Sequence, residues 1–373
     1  MTAGPVGPVD LADSARPADS ARPADSRRPA GPAVLADFPF PLASGSYRYT
    51  ANLQPGGRRQ ETEAGAWGET ITRAGPDYPE LIAERARILR ADPGRLIRDP
   101  ALLAAEWDTL RYLMRRLAAE YPAGFEYTEA GGRARWANRR LGTAAEFVPG
   151  DQATLPCGPL EFIGRQVVED LVLLDEREGQ LWADAGLVTF ASGWSFPFVA
   201  GSSFRHIHGP VPRANADGVF ARAEAFLLRL PPGQAYRRLN WAFQPGRVYD
   251  RSMDAAAGWM PDVARFMATA TDADIAGQVY LRVELQHLIR LETSAAVLFL
   301  IDTRFLSLAD VARVPAWAAR LRTALAGLPD DVADYKGLRE LRPRVVAALD
   351  RLTSRPRPAN QPSSGADGQL TAT

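Results

Sequence analysis

Residues 280–291 constrain this chain more than any other stretch. Val283, Leu285, His287 and Ile289 fall on one face, and Arg282, Glu284 and Gln286 on the other. A period of two belongs to an extended strand, whose successive side chains point to opposite sides. Glu292-Thr293-Ser294 breaks the pattern, and a second apolar run covers residues 296–301. Two such runs around a short polar break predict a β-hairpin, which commits the centre of the fold to antiparallel sheet.

The flanks read differently. After Asp99-Pro100, a capping residue followed by a first-turn proline, Leu103, Trp107, Leu110, Met114 and Leu117 recur at helical spacing until Tyr121-Pro122. Residues 181–190 and the short run 226–230, closed by Pro231-Pro232-Gly233, read as further strands. Helix resumes at Ser307, where Ser307-Leu308-Ala309-Asp310 resembles a capping box, and Pro315 and Pro343 divide the helical end into pieces. The expected class is α+β: a mainly helical part over 37–150, a β-rich core over 151–306 and C-terminal helices over 307–352, forming one body. Residues 1–36 carry the repeat DSARPA, DSARPA, DSRRPA, and residues 353–373 are rich in Pro, Ser and Gly; both compositions predict disordered arms.

Composition removes several functions. Charges balance at 44 basic and 44 acidic residues, so no overall field draws the chain to nucleic acid or an anionic membrane. Lys336 is the only lysine and has no glycine-rich loop before it, which argues against phosphate-loop chemistry, and its polar surroundings argue against a Schiff base. Cys157 stands alone, so a disulfide framework is ruled out. With no apolar signal segment and no run long enough to cross a bilayer, a cytoplasmic protein is expected. GxGxxG, GxSxG, HExxH and CxxC are all missing.

Chemistry concentrates in residues 191–215, ASGWSFPFVAGSSFRHIHGPVPRAN, which hold two of the three histidines. The plainest reading is a loop whose histidines make ordinary hydrogen bonds. In an extended segment His206 and His208 would share a side, as in a cupin-type metal site, but neither Asp217 nor Glu224 falls at the spacing that site needs. A third reading is haem, for which one neutral imidazole in an apolar setting suffices.

The order of motifs resembles the haem-dependent oxidative N-demethylase family. Ser192-Gly193-Trp194, Gly201 and Ile207-His208 before Pro210-Val211-Pro212 carry the likeness, with Glu169-Asp170-Leu171 and Arg238-x-Asn240-Trp241. Leu281-Arg282-Val283-Glu284-x-Gln286-x-Leu288, then Ser294, Ala296 and Phe299, extend it, and Phe38-Pro39-Phe40 and Gly45-Ser46-Tyr47 fit at its start.

The resemblance implies a PAS-like antiparallel sheet core with flanking helices that binds haem b and oxidises a small methylated amine with dioxygen beside separate redox partner proteins. It makes His208 the iron ligand and Trp194 a neighbour of the haem; Cys157 is the alternative ligand, since cysteine thiolates also ligate haem iron. Arg238, Arg282 and Arg222 are candidates for the haem propionates, because guanidinium forks suit carboxylates. Glu169, Asp170 and Glu284 are candidates for holding the ammonium and taking its proton; capping or salt bridging is the alternative for each. An apolar Phe196-Pro197-Phe198-Val199 replaces a lysine expected after the SGW motif, and Leu291-Glu292-Thr293 replaces a Leu-Pro turn. The first change favours a larger or less polar amine in a pocket lined by Trp194, Phe196, Phe198 and Phe204. Two other functions stay open: a haem-based sensor, since PAS-like folds are frequently sensory, and a non-haem metalloenzyme using His206 and His208.

Overall fold

The computed structural model describes residues 29–47, 51–213 and 218–354; the DSARPA repeat as far as Arg28, Asp217, and the tail beyond Ser354 lie outside them. An eight-stranded antiparallel sheet forms the centre. Its main path runs Gln54–Pro55, Ala235–Pro245, Val279–Arg290, Val297–Ser307, Asp170–Arg177, Gln180–Leu187, Ser202–Ser203, and Leu96–Ile97 also pairs with the 180–187 strand. The predicted hairpin is its middle, with Arg290 opposite Val297 and Tyr280 opposite Ser307. Asp108 caps the connecting loop, accepting at 2.9 Å from the Thr293 and Ser294 amides.

The period of two separates the two sides of the sheet. Leu171, Leu173, Ile289, Leu298 and Leu300 pack under the Tyr78–Ala91 and Leu103–Glu120 helices, while Val172, Leu174, Leu288 and Val297 face the Val219–Leu228 helix. Every residue of the Val279–Arg290 strand is buried. Its polar side therefore faces an interior cavity rather than water.

Three expectations need correction. Residues 226–230 are not a strand: Phe226-Leu227-Leu228 end the Val219–Leu228 helix. A short apolar run has no periodicity of its own, and here the helix before it decides. The part over 37–150 is less helical than expected, because Phe125–Ala130, Arg133–Asn138 and Thr143–Phe147 form a three-stranded meander. Its first turn is Gly131-Gly132, both at positive φ (59° and 76°), the backbone that a two-residue hairpin requires. Packing also begins before Asp37, since Pro32–Ala36 is helical and buries Leu35.

The C-terminal helices follow the prolines. Ser307 caps the Leu308–Ala312 helix, Pro315 opens Pro315–Ala326, and Pro343 lies in the first turn of Leu341–Ser354, where a missing amide costs little. Their apolar faces close over Trp241, Phe243, Leu281 and Val283 on the sheet.

Candidate functional site

A cavity of about 1310 Å³ opens against the sheet. Val172, Leu174, Leu288, Phe299 and Ile301 form its apolar floor, with Trp194, Phe196, Phe204, His208 and Phe220 around it. It continues round the edge of the Ala235–Pro245 strand to Trp67, Trp241 and Trp317. Two glycines shape the wall. Gly193 takes φ 75° in the turn before Trp194. Gly186 lets Phe196 lie on the sheet: a Cβ there would stand 2.5 Å from Leu171 O and 2.7 Å from Phe196 Cζ.

His208 caps the short Phe204–Ile207 helix, its ring between Phe204 and Phe220 at centroid distances of 4.3 and 4.4 Å. Nδ1 lies 2.7 Å from Phe204 O. A carbonyl only accepts, so this bond places the proton on Nδ1 and leaves Nε2 with its lone pair. Burial lowers the imidazole's pKa to about 4, with a smaller push from Arg238, so the ring is neutral at ordinary pH. His206 is exposed on the same helical turn. Residues two apart on a helix point about 200° apart, so the shared side needed for a His-x-His metal pair is not formed.

Cross-strand register assembles the polar wall. Arg238 pairs with Gln286 and Asn240 with Glu284, and all four line the cavity. Glu284 Oε2 accepts from Gln286 Nε2 at 3.0 Å and Asn240 Nδ2 at 3.3 Å, and Oε1 accepts from Arg282 Nε at 3.4 Å. Sequence reasoning set Lys336 aside, yet it lines the same cavity and donates from Nζ to Trp241 O at 2.8 Å and Asn240 Oδ1 at 3.3 Å. A lone lysine among so many arginines was the available signal.

The other expected site residues lie elsewhere. Asp170 is clamped by Arg85 Nη2 at 2.8 Å and by the Thr189 and Phe190 amides at 2.9 Å, away from the cavity lining. Glu169 accepts from the Arg73 amide at 2.6 Å; burial, then the charge of Asp302, pushes its pKa up to about 8. It does not line the cavity either. Arg282 is spent inside the protein on Phe190 O, Tyr249 O (3.0 Å) and Thr303 Oγ1 (3.1 Å). Arg222 is exposed on the outer side of its helix. Phe198 is 86% exposed and so is not a pocket wall, because the 196–199 turn can bury only one of its two phenylalanines. Cys157 is partly buried against the core beneath the helices, its thiol pushed up to about 12 by burial, which disfavours the thiolate that iron would need.

Two arginines missed by sequence reasoning do face the cavity. Arg237 is 1% exposed, stacks on Trp67 at 4.3 Å and donates to Gly68 O at 2.7 Å, leaving Nε and Nη2 without a partner. Arg251 stacks on Trp259 at 4.3 Å with its Nε unpartnered. Burial, then the neighbouring cations Arg58 and Arg282 respectively, lowers each guanidinium to about 10.

Comparison with known families gives one match of wide extent. The model of the family described as haem-dependent oxidative N-demethylase, alpha subunit-like, matches residues 66–346.

Proposed function

Because the chain belongs to the haem-dependent oxidative N-demethylase, alpha subunit-like family, we propose that it holds haem b in the cavity above the sheet and oxidises a small secondary or tertiary amine with dioxygen. The observation that carries this reading is His208, whose pinned Nδ1 leaves Nε2 able to ligate iron in the cavity that also holds Glu284. The fit is supported from two further sides. The cavity exceeds the roughly 300–1,000 Å³ of ordinary ligand pockets, and Arg237 and Arg251 carry unpartnered guanidinium nitrogens suited to propionates. Arg238 lines the same wall. On this reading the antiparallel sheet and its helices are a PAS-like haem domain in one body, and a separate redox partner fits an alpha-subunit-like chain.

The residues then divide the work. Bound haem supplies the iron that activates dioxygen and lets the amine lose two electrons. The amine enters as an ammonium, which the Glu284 carboxylate attracts and deprotonates. Asn240, Gln286 and Arg282 hold that carboxylate in place, and the aromatic walls keep water from solvating the cation. Loss of two electrons and a proton from the N-methyl group gives an iminium, and its hydrolysis releases formaldehyde. The test is a pair of variants. His208→Ala is expected to abolish or strongly shift the Soret band, while Glu284→Gln keeps it and loses amine-dependent oxygen uptake. Failure of a broad panel of methylated amines to move the spectrum or consume oxygen, with and without an electron donor, would put the sensor reading in its place.

A further inference from the structure

Lys336 follows the Asp330–Tyr335 helix and meets the Ala235–Pro245 strand at the cavity wall. Its two hydrogen bonds, to Trp241 O and Asn240 Oδ1, use two of the three donor hydrogens of an ammonium, and its charge lies over the Trp241 ring at 5.0 Å. Among the described residues no carboxylate is ion-paired with it. The nearest anion on this wall is Glu284, reached through the Asn240 side chain, whose Nδ2 donates to Glu284 Oε2. One amide thus stands between a cation and an anion, its oxygen turned to Lys336 and its nitrogen to Glu284. A half-buried ammonium without a counter-ion is unfavourable. Burial lowers its pKa to about 8, and a carboxylate at the remaining donor would reverse that.

We propose that Lys336 receives a carboxylate carried by the substrate itself, so that the substrate class is a small N-methylated amino acid with its amine at Glu284 and its acid at Lys336. The inference rests on the amine reading of Glu284. A haem propionate offers the same carboxylate chemistry, and the test separates the two sources.

The experiment uses the haem-loaded full chain and follows the Soret shift and binding heat with N-methylglycine, with N-methylglycinamide, which keeps the ammonium and lacks the carboxylate charge, and with dimethylamine. N-methylglycine is expected to bind at least tenfold tighter than its amide. Lys336→Met is expected to bring that ratio close to one, Lys336→Arg to restore part of it, and haem content to stay at the wild-type level in both. Equal affinity of acid and amide in the wild-type protein overturns the proposal without any variant. Loss of haem from Lys336→Met with the ratio unchanged assigns the lysine to a propionate and overturns it as well. Binding of dimethylamine but not N-methylglycine refutes this inference and leaves the amine reading standing, whereas binding of none of the three refutes both.

Discussion

At the scale of single residues, what a buried carboxylate borders separates the group proposed to work from the one that is structural. Glu284 and Asp170 are both buried carboxylates from motifs that looked equally chemical, yet Asp170 is enclosed by Arg85 and two amides while Glu284 borders a cavity. We expect Asp170→Asn to cost about 3–5 kcal/mol by leaving Arg85 uncompensated, seen as a lower melting temperature. Glu284→Gln should lose turnover and lower the melting temperature by less, because buried Arg282, whose pair with Glu284 is long at 3.4 Å, keeps its bonds to Tyr249 O and Thr303 Oγ1. Protonation gives a second contrast. His287 is 1% exposed with both ring nitrogens unpartnered, and burial, then Arg237, lowers its pKa to about 3. Its folded value lies below the unfolded one, so its contribution is present above pH 6.5 and is lost as pH falls towards 3. Glu169 has the opposite sign: raised to about 8, it favours the fold at low pH and opposes it as pH rises. His287→Leu, which forfeits no hydrogen bond, should flatten the fall in melting temperature between pH 7 and 5, and Glu169→Gln should steepen it. A profile unmoved by either would mean that these two groups do not set acid stability. Sequence could nominate such residues but could not rank them, because rank depends on which partners the fold supplies from a distance of 100 residues, as Arg85 is supplied to Thr189.

At the scale of elements, what was legible was whatever a local period can encode. The Val279–Arg290 strand and the Leu103–Glu120 helix stand within a few residues of where spacing put them, and the second strand begins where expected but runs on from residue 301 to Ser307. The faces of the central strand were also legible, with Glu284 and Gln286 opposite Leu285 and His287. Its register was not, and register is what sets Asn240 beside Glu284 and Arg238 beside Gln286. The 226–230 run failed for a related reason, since five apolar residues fit a strand or the end of a helix equally well. Gly186 shows an element depending on a missing side chain. It pairs with Val172 on the neighbouring strand, and Phe196 occupies the space where its Cβ would be. Gly186→Ala must displace both the Phe196 ring and the Leu171 carbonyl, because moving the ring alone leaves the new Cβ 2.5 Å from the carbonyl oxygen. We expect a loss of about 1–3 kcal/mol from overpacking together with a shifted Soret band, because Phe196 is cavity wall. Lower stability with an unaltered haem spectrum would mean that Phe196 does not report on the haem.

At the scale of the whole molecule, the N-terminal segment, the sheet and the C-terminal helices are joined by a chain of contacts that no local pattern announces. The Ala30 amide donates to Asp310 Oδ1 at 3.0 Å, and Arg313 returns a bond to Ala30 O. Leu35 and Phe38 bury themselves in the core beneath the Pro315–Ala326 helix, with Phe40 stacked on Trp317 at 4.7 Å. Asp37 accepts from Arg304 at 2.7 Å, and Arg304 in turn holds Asp302, which also pairs with Arg73 at 3.2 Å. A boundary drawn at Asp37 from composition therefore cuts through packed structure, since Pro-Ala-Val-Leu-Ala after a Pro/Ala repeat gives no warning that its leucine is core. A chain beginning at Phe38 should be less stable than one beginning at Pro29. The burial of Leu35 is worth about 1.5–3 kcal/mol, and each lost hydrogen bond about 0.5–1.5 kcal/mol. Arg304 is left without one of its two carboxylates, while Asp302 keeps Arg73 and Arg304. The damage should therefore stay in the layer between the sheet and the C-terminal helices, away from His208. Melting temperature should fall by several degrees while the haem spectrum stays as it was. Equal melting temperatures for the two chains would show that the Pro32–Ala36 helix contributes nothing to the fold, and a spectral change would show that the two faces of the sheet are coupled.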